Sequence, residues 1–303
     1  MTLELVEYIA WRKKEINAVI MAHYYQIPEI QDIADFVGDS LQLARQAAAT
    51  DADVIVLCGV KFMAESAKIL SPEKTVLLPD LRAGCPMADM VTAEALREMK
   101  AQYPDAAVVC YVNSSADVKA ESDICCTSSN AVNVVKSIPE ERQIIFVPDK
   151  NLGAYVQEQT GRKMILWEGY CPVHDVLTRE ELARQVEMHP DAKIVVHPEC
   201  VPEITQAADA VRSTGGMLQY VKSSPDKEFI IGTEEGFVYT LQKNFPEKTF
   251  YLARPEFRCY DMKYLDLEKL ANALDRMEHQ VEISEEIRRR AYGALQNMLS
   301  IMP

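Results

Sequence analysis

A cysteine recurs along this chain at nearly equal intervals, and that recurrence limits the folds open to it more than any other feature. Gly84-Cys85-Pro86-Met87 is followed 86 residues on by Tyr170-Cys171-Pro172-Val173, and 88 further on by Arg258-Cys259-Tyr260-Asp261. Each cysteine stands after an apolar run that reads as a strand: Thr75 to Pro79, Met164 to Trp167 and Thr249 to Ala253. Other markers keep step. His23 to Ser40 is 17 residues, Asn113 to Ser128 is 15 and His197 to Ser213 is 16; from those serines to the cysteines the counts are 45, 43 and 46. A period this long exceeds that of a solenoid unit and implies three homologous domains.

Each block reads as helix, strand, polar turn, second short strand, helix, third strand, helix and a fourth strand ending at the cysteine. That alternation is the pattern of a parallel α/β layer. In the first block the strand Ala18 to Ala22 runs into His23-Tyr24-Tyr25-Gln26, and Gly38-Asp39-Ser40 starts a helix. In the second, Ala107 to Tyr111 runs into Val112-Asn113-Ser114-Ser115, and Thr127-Ser128-Ser129 starts the helix. In the third, Lys193 to Val196 runs into His197-Pro198-Glu199-Cys200, and Ser213-Thr214-Gly215-Gly216 starts it. Thr92 reads as an N-cap and Thr178 with Glu181 as a capping box. Two helices beyond Leu265, the second capped by Ser284, are expected to pack back on the first block. The expected fold is therefore α/β: three pseudo-threefold-related αβα domains, each with a small parallel sheet, around a central active-site cavity. Their expected limits are 1–87 with 264–303, 88–173 and 174–263.

Charge and composition narrow the function. A net charge of -14, spread along the chain, makes nucleic acid and anionic membrane unexpected partners. No apolar run approaches the roughly 18–20 residues of a membrane span, and the acidic start lacks the basic flank of a signal peptide, so a cytoplasmic protein is expected. Eight cysteines in such a chain point to metal binding, catalysis or burial rather than to disulfides.

Ligands of parallel sheets bind beyond the carboxyl ends of the strands, where all of these polar turns fall. A threefold axis would aim His23 and Tyr25, Tyr111 and Asn113, and His197 and Glu199 at one cavity, with Cys85, Cys171 and Cys259 on its wall. The turns at Ser40, Ser128 and Ser213-Thr214 would add helix-start N–H groups suited to carboxylate or phosphate. Three thiolates without an obvious fourth fit a catalytic zinc or a cubane cluster. Ligands from three domains around an axis suit the 4Fe-4S cluster better, with one iron left open as a Lewis acid. Cys58, Cys110, Cys125 and Cys126, on apolar strands, read as core, and Cys200, which has no counterpart in the other blocks, reads as buried too. His189 and His279 read as surface residues; His174 could line the cavity or cap a helix.

These residues resemble the quinolinate synthase family. The matching motifs are Ala22-His23-Tyr24-Tyr25-Gln26, Gly38-Asp39-Ser40-Leu41-Gln42-Leu43-Ala44, Phe62-Met63-Ala64-Glu65, Cys85-Pro86-Met87-Ala88, Tyr111-Val112-Asn113-Ser114, Thr127-Ser128-Ser129-Asn130-Ala131-Val132, Pro148-Asp149-Lys150-Asn151-Leu152, Cys171-Pro172-Val173-His174, Val196-His197-Pro198-Glu199-Cys200 and Ser213-Thr214-Gly215-Gly216-Met217. They run in order along nearly the whole chain. Departures are Tyr24 for the family's usual Asn, Gly84 for a frequent Thr and Tyr170 for a frequent His.

The resemblance implies a 4Fe-4S cluster on Cys85, Cys171 and Cys259, and condensation of iminoaspartate with dihydroxyacetone phosphate to quinolinate, with loss of water and phosphate, in NAD biosynthesis. It implies a functional link to an aspartate-oxidising enzyme that supplies iminoaspartate. It also implies that Tyr25 and His23 handle protons on the triose-derived part, that His197 and Glu199 serve as acid and base, and that Tyr111 and Asn113 orient the dicarboxylate. Ser40, Ser128, His174, Ser213 and Thr214 complete the expected substrate contacts. The alternative from another class is a non-catalytic three-domain binding protein for an anionic metabolite, in which the cysteines are only core.

Overall fold

In a computed structural model of the chain, which describes residues 2–302, the three blocks fold alike. The first holds α1 (Thr2–Glu15), β1 (Ala18–His23), α2 (Pro28–Ile33), β2 (Phe36–Gly38), α3 (Ser40–Ala49), β3 (Val54–Cys58), α4 (Lys61–Leu70) and β4 (Thr75–Leu77). The second holds α5 (Ala93–Gln102), β5 (Ala107–Tyr111), α6 (Ala116–Ala120), β6 (Ile124–Cys126), α7 (Ala131–Ser137), β7 (Ile144–Val147), α8 (Lys150–Thr160) and β8 (Ile165–Leu166). The third holds α9 (Arg179–Met188), β9 (Lys193–Val196), α10 (Pro202–Thr205), β10 (Ala210–Val211), α11 (Thr214–Ser223), β11 (Glu228–Gly232), α12 (Glu235–Asn244) and β12 (Thr249–Leu252). The chain ends with α13 (Leu267–Arg276) and α14 (Glu285–Ser300).

Each block closes a four-stranded sheet, in the orders β2-β1-β3-β4, β6-β5-β7-β8 and β10-β9-β11-β12. All pairings between these strands are parallel. Parallel neighbours cannot be joined by tight hairpins, so the helices serve as crossovers and cover the sheet faces. The central strands are accordingly continuous apolar runs: Val54–Cys58, Ala107–Tyr111 and Ile144–Val147 are buried throughout. Helix starts are fixed by side chains. Asp39 and Thr178 form capping boxes with Gln42 and Glu181, and Asp149, Ser213 and Ser284 cap α8, α11 and α14.

Several local expectations change. The polar turn of each block contains one more short helix, α2, α6 and α10, two of them opened by a proline. The fourth strands end at Leu77, Leu166 and Leu252, so the cysteines sit in loops beyond them. Thr127-Ser128-Ser129 is a turn closed by the Asn130 side chain, which accepts from Thr127 N at 2.8 Å; α7 starts only at Ala131. Of the last two helices, α13 packs on α1 of the first block, but α14 packs on α6 and β6 of the second as well as on α4. Its apolar face is thus the wedge between two blocks. One continuous apolar core runs through the first block, the second and these helices, while the third block has two separate clusters. No helix among the described residues is long and apolar enough to cross a membrane.

Candidate active site

At the carboxyl ends of the strands the three blocks enclose a cavity of about 430 Å³. His23 ends β1, Tyr111 ends β5 and His197 follows β9; two residues on stand Tyr25, Asn113 and Glu199, and all six line the cavity. In the first and third blocks the turn is the same. The N–H of Tyr25 donates to His23 Nδ1 at 3.1 Å and that of Glu199 to His197 Nδ1 at 3.4 Å. With Nδ1 accepting, each neutral ring carries its proton on Nε2. Burial holds both imidazoles neutral, with pKa values pulled down to about 3. The 3.7 Å between His197 Nδ1 and Glu199 Oε2 is too long for a hydrogen bond, in keeping with a neutral ring.

Polar contacts then join all three blocks. Tyr111 donates to Glu199 Oε1, and His174 Nδ1 lies 2.7 Å from Glu199 Oε2. The other ring nitrogen of His174 is 2.9 Å from Thr233 Oγ1, which is 2.6 Å from the Tyr25 hydroxyl. Burial opposes the charge of Glu199, but the neighbouring His197 and His174 and the hydrogen bonds from His174 and Tyr111 hold its carboxyl well below the usual range. Tyr25 and Tyr111 stay protonated, pushed well up by burial and by the charge of Glu199. Of the six strand-end residues, Asn113 carries a buried acceptor without a donor, its Oδ1.

Ser40, Ser128 and Thr214 also face the cavity. Beside them, and also lining the cavity, Asp39 and Ser129 tie the blocks together, with Ser129 Oγ 2.8 Å from Asp39 Oδ2 and 2.9 Å from Ser213 Oγ. Ser213, engaged there and capping Gly216 N, is not among the lining residues. Gly215 is needed at this seam, because a Cβ there would stand 2.6 Å from Asp39 Oδ2.

The sequence reading had no role for Thr233, Asp149 or Ser129. Asp149 is fully buried, its Oδ1 capping α8 and its Oδ2 without a partner; burial, then the charge of Glu199, pushes its carboxyl well up. Asp149 carries a signal in Pro148-Asp149-Lys150-Asn151-Leu152, just past the third strand of its block, whereas Thr233, just past the third strand of the last block, carries none.

Cys85, Cys171 and Cys259 line the cavity and are free thiols, whereas Cys58, Cys110, Cys125, Cys126 and Cys200 are buried core. Burial pushes all three thiols up, Cys259 to about 12, and Cys85 feels the charge of Cys259 as Cys171 feels that of Cys85. Among the described residues the set spaced for a single ion, with ligand atoms within 4.8 Å of one another, is instead Cys171, His174 and Glu199. The three cysteine sulfurs do not form such a set, though all three line the same cavity. Three free thiols on the wall of one cavity fit an iron-sulfur cluster, whose protein ligands are cysteine thiolates.

Comparison with known proteins agrees with this geometry. The family model described as quinolinate synthetase A protein matches residues 7–300. The chain is 56% identical over 298 residues to the quinolinate synthase of Desulforudis audaxviator, covering 98% of each chain. It is 55% identical to that of Methanosarcina barkeri, again with 98% of each covered, and 57% identical to that of Geobacter sp. strain M21, covering 95% of this chain and 94% of the relative. Matches of this extent leave no block unaccounted for, and the chain belongs to the quinolinate synthetase A family of enzymes.

Proposed function

We propose that this protein is a quinolinate synthase of NAD biosynthesis, condensing iminoaspartate with dihydroxyacetone phosphate and releasing water and phosphate. The observation that carries the reading is the convergence of Cys85, Cys171 and Cys259 with His23, Tyr25, Tyr111, Asn113, His174, His197 and Glu199 on one cavity. On this reading Cys85, Cys171 and Cys259 hold a 4Fe-4S cluster. When bound, it supplies an iron without a protein ligand, a Lewis acid for a substrate hydroxyl or carboxylate.

The side chains divide the remaining work. Glu199, ionised, takes protons, and His197 offers its Nε2–H to a leaving hydroxyl. Tyr25, protonated and steadied by Thr233, exchanges protons with the triose-derived part beside His23. Asn113 Oδ1, lacking a donor, receives an N–H of the imine-derived nitrogen, and Tyr111 fixes Glu199 against the dicarboxylate. Ser40, Ser128 and Thr214 take carboxylate and phosphate oxygens, with Ser213 supporting them from below. The same reading gives domain limits of 1–87 with 264–303, 88–173 and 174–263, a cytoplasmic site of action, and an aspartate-oxidising enzyme as the source of iminoaspartate.

Anaerobic purification tests this. The expected product is a brown protein with about four irons per chain that forms quinolinate from the two substrates, and single changes of Cys85, Cys171 or Cys259 to Ser abolish colour and turnover together. A colourless protein holding one zinc, or ligand binding without turnover, would refute it.

A further inference from the structure

Glu234 follows Thr233 just past β11 and is fully buried. Its Oε2 caps α12, accepting from Gly236 N at 2.7 Å. A short side chain suffices for that task, and Ser, Thr, Asp and Asn are the usual caps. The extra reach of a glutamate serves its other oxygen. Oε1 accepts from the backbone N–H of Cys259 at 3.1 Å and lies 2.9 Å from the ammonium of Lys263. The same ammonium donates to the carbonyl oxygen of Tyr25 at 2.5 Å. Asp149, which stands at the matching place past β7, caps α8 in the same way but leaves its other oxygen without a partner.

Cys259 and Tyr25 both line the cavity, yet one lies on the return segment beyond β12 and the other on the turn after β1. The Thr233-Glu234 step of the third block holds both. Thr233 Oγ1 is 2.6 Å from the Tyr25 hydroxyl, so Tyr25 is held at its ring end by Thr233 and at its carbonyl by Lys263. Packing there is close as well: a Cβ on Gly236 would stand 2.9 Å from Tyr25 O and 2.8 Å from Gln26 O, and Gln26 Nε2 donates to Met262 O at 2.8 Å, beside Lys263. A buried carboxylate facing an ammonium and two N–H donors is satisfied, whereas either charge alone would be left uncompensated.

We propose that Glu234 and Lys263 are positioning residues for the reaction, a buried pair that sets the Tyr25 ring and the Cys259 loop at a fixed spacing across the cavity. Its catalytic use rests on the roles given above to Tyr25 and Cys259. Proton transfer and cluster ligation both depend on such placement, so loosening the pair should cost turnover and cluster retention beyond any loss of stability.

The test compares wild type with Lys263→Met and Glu234→Ala. Lys263→Met frees Tyr25 O, and kcat should fall about 10- to 100-fold with KM for iminoaspartate unchanged, since Asn113 and Tyr111 are not touched. Glu234→Ala also frees the Cys259 N–H. In the cluster-free protein, amide exchange at 257–260 should then quicken about 10-fold, with faster exchange at 24–27 in both variants, and the loaded Glu234→Ala protein should lose cluster sooner to a chelator. The double variant Glu234→Gln/Lys263→Met leaves no lone buried charge, so it decides the matter if a single variant does not fold, and it should show the kcat loss of Lys263→Met. Variants that melt earlier but keep wild-type kcat and wild-type exchange at both segments overturn the proposal, and so does a KM for iminoaspartate that rises in step with the loss of kcat. Wild type that takes up no iron overturns the cluster reading alone, and exchange at 24–27 and 257–260 then decides whether the pair positions these segments.

Discussion

Asn113 brings an acceptor into the cavity that nothing in the protein satisfies, and its replacement separates folding from binding. Asn113→Ala removes a buried orphan, so thermal stability should stay within about 1 kcal/mol of wild type, while ligand binding loses about 1–3 kcal/mol, ~5- to 150-fold in KM. Steady-state kinetics beside a melting curve checks this; a large stability loss with unchanged KM would mean that Asn113 serves the strand end. His23 and His197 carry a second prediction at this scale. Their folded values near 3 lie below the ordinary 6.5, so the fold contains neutral rings and the unfolded chain binds those protons first. The stability linked to them is complete above about pH 6.5 and is lost as pH falls toward 3, up to about 2 kcal/mol for each at pH 5. Melting temperatures should fall between pH 7 and 5, and by less in a His23→Gln/His197→Gln variant. The six strand-end residues were legible because equivalent positions repeat; Thr233 was not, since a threonine after a glycine carries no pattern until its partners are known.

The helix starts are where the three blocks meet, and two adjacent glycines there are not equivalent. A Cβ on Gly215 would press on the Asp39 carboxylate at 2.6 Å, whereas one on Gly216 would meet Ser213 Oγ at 3.2 Å. Gly215→Ala must push α11 from α3 and disturb the Asp39–Ser129–Ser213 ring, costing about 1–3 kcal/mol as overpacking does. Gly216→Ala, with only a few tenths of an ångström to yield and a better helix former gained, should be near neutral. Urea unfolding of the two variants decides between them, and equal losses would mean that the seam is soft. Most elements could be read in advance because their periodicity is long enough to register: the twelve strands and longer helices lie where apolar runs and caps put them. The short helices α2, α6 and α10, four to six residues each, were read as turns because one turn of helix has no hydrophobic period to detect. Where α14 docks could not be read either, since an amphipathic face states that it is covered but not by what.

The sequence repeat suggests three equal domains, but packing makes them unequal. The first two share one apolar core, and Met87, Ala88 and Val91, on the link between them, are buried in it. The third block packs its own clusters, and only Tyr24, Tyr25 and Val37 of the first block join one of them, with Tyr24 on Phe237. Polar ties accompany them: Gln31 donates to Gly236 O at 2.9 Å and accepts from Thr240 at 2.6 Å, and Lys243 pairs with Asp32 on the surface. An interface with separate cores and polar ties permits relative motion where one continuous core does not. A hinge is therefore expected at the link after Cys171 and not at the link after Cys85, with the return segment around Cys259 as its counterpart. A ligand must reach a cavity whose walls come from all three blocks, and closure would exclude water from it. The third block should thus swing against a rigid pair, about the α2–α12 contact, opening without ligand and closing with it. Small-angle scattering should show a smaller radius of gyration with a product-like dicarboxylate, and amide exchange should slow at residues 171–177 and 197–200 but not at 87–92. Equal slowing at 87–92 would mean that the first two blocks also part, and an unchanged radius with unchanged exchange would leave only side-chain motion at the mouth.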